Sequence, residues 1–129
     1  MFKALSPNIL VSDVEKSIAF YEMLGFVKIA QVPEQGKPQW AMVQADQVTF
    51  MIQDKASVDA ESGIPYPWIQ AASSGVFLYM DVEDLEALRT TIDGKTPILK
   101  DIHSTFYGTH EMVVADPDQY VLIFAEDQK

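Results

Sequence analysis

Two histidines, His103 and His110, are the residues of this chain best suited to chemistry near neutral pH. Imidazole titrates there, and it serves both as a general acid or base and as a metal ligand. Glu111 directly follows His110. On a strand, adjacent side chains point to opposite faces, so that pair makes a poor chelate. His103, His110 and one carboxylate form one candidate site; surface or structurally hydrogen-bonded histidines are the other reading. No residue pattern sets a substrate proton beside either ring. Asp81, Glu83, Asp84 and Glu86 form an acidic cluster, which a solvated helix start explains because that end favours negative charge. Trp40, Tyr66, Trp68, Phe106 and Tyr107 can wall a site for a flat aromatic or cationic ligand through stacking and cation–π attraction. Ordinary packing is the alternative for each.

Composition narrows the choices. The 129 residues suit a single domain, long enough to bury a core without disulfides or a structural metal. There is no cysteine, so thiolate metal sites, disulfides and a cysteine nucleophile are excluded. The net charge of −10 argues against nucleic-acid partners, which require a basic surface, and raises the local concentration of cations. Residues Met1 to Pro7 lack the apolar stretch of a signal peptide, and no run reaches the roughly 18 apolar residues of a membrane span. The expectation is a cytoplasmic protein without membrane partners.

The elements that must position these residues occur twice. Asn8-Ile9-Leu10-Val11 leads into Ser12-Asp13-Val14-Glu15 and a helix; Leu78-Tyr79-Met80-Asp81-Val82 leads into Glu83-Asp84-Leu85-Glu86 and another. Val11 matches Val82, Asp13 matches Asp84 and Val14 matches Leu85. Further on, Met42-Val43 answers Met112-Val113, which would pair Trp40 with His110, and Gln47 to Gln53 answers Gln119 to Ala125. The first helix carries an apolar stripe at Val14, Ile18 and Tyr21, widened by Phe20 and Leu24, with Ser12 and Glu15 as a capping box and Gly25 as the stop. The second opens near Glu83-Asp84, carries Leu85, Leu88 and Ile92, and closes at Asp93-Gly94. Strands are predicted at Phe26–Val32, Trp40–Gln44, Gln47–Gln53, Pro97–Lys100, Glu111–Ala115 and Tyr120–Ala125, with Asp116-Pro117-Asp118-Gln119 as a turn. The fold class is α+β: two modules of strand, helix and three strands, at about 1–54 and 75–126, joined by a connector at about 55–74. That connector, with Pro65-Tyr66-Pro67-Trp68, packs its aromatics on the core or covers a ligand or dimer contact.

The stretch from Val11 to Phe26, with its Asp-x-x-x-Ser-x-x-Phe-Tyr-x-x-Leu-Gly-Phe pattern, closely resembles the opening of the vicinal oxygen chelate superfamily. Glyoxalase I, extradiol dioxygenases, fosfomycin resistance enzymes and bleomycin resistance proteins belong to it. Tyr107-Gly108, Glu111 and Asp116-Pro117-Asp118 resemble its closing motif. The resemblance implies two βαβββ modules, each curling a mixed sheet around a cavity. In metal-dependent members four cavity residues hold a divalent ion; carried over by position, they fall here on Ser6, Met51, Phe77 and Ile123. None offers the imidazole or carboxylate that such ions prefer. Their neighbours Leu5, Pro7, Phe50, Ile52, Val76, Leu78, Leu122 and Phe124 offer none either. The expectation is therefore no metal and no cofactor.

Strand alternation then sorts a ligand pocket. Asn8, Thr49, Met51, Gln53, Phe77, Tyr79 and Ile123 share the faces of the four lost ligands, and Trp40, Trp68, Tyr107 and His110 stand at its margins. An apolar, aromatic lining with few polar anchors suits a small molecule, although the same side chains could fill a closed core. The leading expectation is metal-independent binding, by sequestration, of a small organic molecule of aromatic or cationic character, in a homodimer resembling the bleomycin resistance proteins. The alternatives are a lyase, isomerase or dioxygenase with relocated ligands at His103, His110 and Glu111, a metal-free acid–base catalyst, or a scaffold with a filled cavity.

Overall fold

The computed structural model describes residues 1–63 and 75–128. The chain divides into two compact units, 1–74 and 75–129. Each carries a mixed four-stranded sheet and the two repeat one topology: β1-β4-β3-β2 in the first, β5-β8-β7-β6 in the second. In each, the first strand lies parallel to the last, and the remaining pairs are antiparallel. Among the described residues no helix is long and apolar enough to cross a membrane.

In the first unit, β1 (Asn8–Val11) feeds α1 (Val14–Leu24), followed by β2 (Val27–Val32), β3 (Trp40–Ala45) and β4 (Val48–Asp54). Helix α1 buries Val14, Ser17, Ile18 and Tyr21. Alternation puts Ile9, Val11, Ala41, Val43, Phe50 and Ile52 on the same side of the sheet as the helix, all buried. Tyr21 is the centre of this core, meeting Phe20, Phe26 and Phe50 edge to face at 4.9–5.8 Å between ring centroids. Gly25 ends the helix at φ 113°, a left-handed conformation that only glycine enters freely. Its N–H donates to the Glu22 carbonyl and that of Phe26 to the Tyr21 carbonyl, a Schellman closure.

The N-terminal cap differs from the predicted box. Asp13, not Ser12, is the extended residue before the helix, and its Oδ1 accepts the Lys16 N–H at 3.2 Å. The helix begins one residue later than a Ser12 cap requires, and a carboxylate is as good an N-cap as a hydroxyl.

A second helix, α2 (Lys55–Ser62), follows β4 without a break and was not foreseen in the connector. Asp54 caps it, accepting the Ser57 N–H at 2.7 Å. Lys-Ala-Ser-Val-Asp-Ala-Glu-Ser gives it only a weak apolar stripe, and it is short, so periodicity carried little signal. It rests on β4 and β1. The predicted aromatics Tyr66 and Trp68 lie outside the described residues.

In the second unit, β5 (Phe77–Asp81) leads to α3 (Leu85–Ile92), then β6 (Ile98–Ser104), β7 (Thr109–Ala115) and β8 (Val121–Asp127). Asp84 caps α3 through the Ala87 N–H at 3.0 Å. Leu85 and Ile92 are buried with Met80, Met112, Val114, Leu122 and Phe124; Leu88 is only half-buried. Strand β6 runs four residues beyond the predicted Lys100, because His103 and Ser104 continue the pairing with Glu111 and His110. As an edge strand with mixed polarity on both faces, it lacks the alternation that marks a half-buried strand. Register shifts interrupt it after Ile98 and Lys100, and another interrupts β2 between Lys28 and Ala30. The turn from β7 to β8 is as predicted: Asp116 Oδ1 accepts the N–H groups of Asp118 and Tyr120 at 2.8 and 2.9 Å.

Candidate functional site

The face of each sheet turned away from its α1 or α3 core is where the predicted pocket residues belong. In the first unit, pairing aligns Asn8 with Met51 and Met51 with Met42, while Gln53 aligns with Trp40. Residues directly opposite on neighbouring strands point the same way. Asn8, Trp40, Thr49, Met51 and Gln53 therefore share one face, half-buried or exposed, against the buried alternate positions. Its polar groups form a chain: Asn8 Nδ2 donates to Gln53 Oε1 at 2.8 Å, and Gln53 Nε2 donates to Ser57 Oγ at 3.1 Å. Helix α2 thus fixes the orientation of Gln53, a role for Ser57 that the sequence did not disclose.

In the second unit, Tyr79, Ile123 and Val113 align across β5, β8 and β7, with Phe77 and Val121 one step along. Phe77 is 64% exposed and Tyr79 49%. The next rank holds Asp81, Ala125, Glu111 and His103. Glu111 is 4% exposed, the most buried carboxylate of this face. Its Oε2 accepts three hydroxyl groups, from Tyr79 at 2.7 Å, Tyr107 at 2.8 Å and Thr109 at 2.8 Å. Tyr79 and Glu111 stand two strands apart and one rank offset along the sheet. Tyr107 arrives from the β6–β7 turn, four residues before Glu111.

Opposing effects act on the Glu111 carboxyl. Burial alone would raise its pKa, but the three hydroxyl donors, together with the charge of His103, outweigh burial and hold it below the usual glutamate range. The phenols respond in the opposite sense. The hydrogen bond to Glu111, then burial, then the carboxylate charge push Tyr79 up to about 12. Tyr107 is raised by the same causes in the same order. At neutral pH the cluster is one carboxylate surrounded by protonated hydroxyls.

The two histidines part company. His103 is on the face of Glu111, its Nδ1–H donating to the Asp101 carbonyl at 3.0 Å. His110 is on the other face, in register with Glu126. Gln128 Nε2 donates to its Nε2 at 2.6 Å. There it lines a surface cavity of about 490 Å³ with Glu83, Glu126, Asp127 and Gln128. The expected equivalence of Trp40 and His110 therefore does not hold. Since Trp40 pairs with Gln53 and Glu111 pairs with Ala125, the counterpart of Trp40 is Glu111, a shift of 71. Matching Met42-Val43 to Met112-Val113 slipped the register by one, and one residue is enough to reverse the face.

Neither metal arrangement fits. The four positions carried over from the metal-dependent pattern supply one hydroxyl (Ser6, exposed and before β1), one thioether (Met51) and two hydrocarbons (Phe77, Ile123). A divalent ion finds no carboxylate or imidazole among them. The relocated triad is broken by the pleat, which sends His110 away from His103 and Glu111. Among the described residues no three of His, Cys, Asp or Glu come together as a metal site requires.

Comparisons with known proteins agree with this architecture. Residues 4–124 match the family model described as the Glyoxalase/Bleomycin resistance protein/Dioxygenase superfamily. Among solved structures, a bleomycin-binding protein complexed with bleomycin is similar at TM-score 0.64 and 17% identity, covering 98% of this chain and 100% of that one. A lactoylglutathione lyase from Agrobacterium tumefaciens is similar at TM-score 0.73 and 15% identity over 96% and 92% of the two chains. TioX from Micromonospora sp. ML1 is similar at TM-score 0.70 and 14% identity over 98% of both. No curated protein matches the chain in sequence.

Proposed function

We propose, from the premise that the chain belongs to the glyoxalase/bleomycin resistance protein/dioxygenase superfamily, that it binds a small organic molecule without a metal and acts by holding it. One observation carries this reading: Ser6, Met51, Phe77 and Ile123, the positions to which the resemblance carries the metal ligands of metal-dependent relatives, supply neither carboxylate nor imidazole. In each unit these positions belong to a face with apolar and aromatic side chains and a few oriented polar groups, the composition of a small-molecule site. Asn8, Trp40, Thr49, Met51 and Gln53 in the first unit, and Phe77, Tyr79, Tyr107 and Ile123 in the second, are the contacts we assign. His110 is left out because it faces the other way. Likeness to a protein that binds bleomycin supports binding as the mode of action. Catalysis finds less support: a carboxylate held below its usual pKa is a weak general base at neutral pH, and the histidines are split between faces.

The same reading includes a cytoplasmic location and a homodimer, the dimer because exposed rings such as Phe77 and Tyr79 mark surfaces that are commonly covered. Light scattering coupled to gel filtration tests the dimer. The binding claim is tested by thermal shift with bleomycin, aromatic metabolites and divalent ions. A ligand that binds the native state raises the melting temperature by mass action. Stabilisation by an organic compound, with none by metal ions, is expected. Stabilisation by metal alone, with stoichiometric metal in the purified protein, would sink the reading.

A further inference from the structure

Glu111 is largely buried, yet its Oε1 keeps contact with solvent: among the described residues the buried side-chain polar atom left without a partner is Ser17 Oγ. A carboxylate removed from water requires compensation on both oxygens and, in general, a counter-charge. Three hydroxyls converge on Oε2. Among the described residues, none donates to Oε1. Nor does a cationic side chain pair with it: the ion pairs among those residues both belong to Arg89, with Asp93 and Asp101. His103 stands opposite Glu111 across the β6–β7 pair, and its charge favours the carboxylate without a direct ion pair among the described residues. The three donors hold the charge in place and orient Oε1 while leaving it available. The Tyr79 and Tyr107 hydroxyls reach the same carboxylate, and Ile123 and Val113 lie one rank away on this face.

From this arrangement we infer that Glu111 is the anchor for an organic cation, a primary ammonium or amidinium group carried on a flat apolar body. The inference rests on the binding reading above and adds the charge class of the ligand. An ammonium group at Oε1 would gain a charge-assisted hydrogen bond to a partly desolvated carboxylate. The rings of Tyr79 and Tyr107, whose hydroxyls meet the same carboxylate, add cation–π attraction, and the apolar body would lie along Ile123 and Val113, one rank away on this face. An anion is repelled by the same carboxylate. A divalent metal finds a single oxygen, too few donors to hold it. The chain's net charge of −10 concentrates cations near its surface.

The test uses two probes of nearly equal shape, 1-naphthylmethylammonium and the neutral 1-naphthylmethanol, titrated into the full chain and followed by amide chemical shifts. The ammonium compound is expected to bind about tenfold more tightly than the alcohol, with the largest shifts at Tyr79, Thr109, Glu111 and Ile123. In Glu111→Gln that preference is expected to fall below about twofold, whereas Tyr107→Phe, which keeps the carboxylate, retains it. Equal binding of both probes, a preference that survives Glu111→Gln, or shifts confined to the cavity around His110 would overturn the cation assignment while leaving the binding function intact. Binding of neither probe would overturn both. If Glu111→Gln does not fold, the wild-type preference and the shift map decide the matter.

Discussion

The Tyr79 hydroxyl donates to Glu111 Oε2 at 2.7 Å, reaching diagonally from β5 across β8 to β7. A phenol that gives its proton to a carboxylate loses that bond, and gains repulsion, when it ionises. Spectrophotometric titration at 295 nm should therefore show one tyrosine ionising near 12, against about 10 for an ordinary phenol. Because the folded pKa is raised, the associated stability is complete below about 10 and disappears as pH rises through 12. Glu111→Gln should return Tyr79 toward the ordinary value; an unchanged titration curve would show that the carboxylate is not the cause.

The same contact has an acid limb of opposite sign. The folded pKa of Glu111 is depressed, so its contribution is present above the ordinary glutamate pKa and is lost as pH falls through the lower folded value. Urea unfolding at a series of acidic pH values should show wild type losing stability over that window and Glu111→Gln losing less. At neutral pH the substitution is expected to cost about 1–3 kcal/mol, since the amide cannot replace a charged acceptor of three hydroxyls.

Capping separates two readings of the first helix. Asp13→Ala should destabilise by about 1 kcal/mol, the usual cost of removing an N-cap side chain. Asp84→Ala should cost a similar amount in the second unit, where the carboxylate accepts the Ala87 N–H. Equilibrium denaturation measures both, and an Asp13→Ala variant as stable as wild type would return the cap to Ser12.

Tyr21 is fully buried at the meeting point of Phe20, Phe26 and Phe50. Tyr21→Ala is expected to cost about 3–5 kcal/mol, as large aromatic truncations in cores do. Tyr21→Phe, which keeps the ring contacts, should cost much less. Comparable losses in the two variants, read by urea midpoint, would move the weight from ring packing to the hydroxyl.

Metal dependence has a direct readout. Protein purified without chelator should carry well below one equivalent of zinc, nickel, iron or manganese by elemental analysis. Added EDTA should leave the melting temperature unchanged, because a ligand that is not bound cannot contribute to it.

Much of this architecture was legible because the chain repeats it. The capped helices, the Gly25 stop and the Asp116 turn each have a local chemical cause that survives without knowledge of the fold. The lining of the sheets was legible wherever the pleat was counted along one strand: Asn8, Thr49, Met51 and Gln53 do share a face. Counting across the repeat was less secure. Aligning the identical Met-Val pairs gave a shift of 70, whereas backbone pairing gives 71 for Trp40 and Glu111. That slip promoted His110 and obscured Glu111. Glu111 was visible as a motif residue, yet its three hydroxyl partners come from β5, the β6–β7 turn and β7, which no local pattern joins. Helix α2 escaped for the opposite reason: it is local, but too short and too polar for a periodic signal.

The irregular outer strands have a consequence for the protein in concentrated solution. Strands β2 and β6 each end a sheet, and each exposes large apolar side chains, Val27, Ile29 and Val32 on one and Leu99 on the other. A regular edge of that kind is a template on which another chain can add a strand, the first step toward aggregation. Both edges are broken by register shifts, after Lys28 in β2 and after Ile98 and Lys100 in β6. A bulge twists the strand and takes its unpaired N–H and C=O groups out of line. Removing the bulge in β2 by deleting one residue would straighten the ladder and supply an incoming chain with several hydrogen bonds in sequence. The irregularity therefore guards solubility in an apolar stretch where side-chain polarity does not.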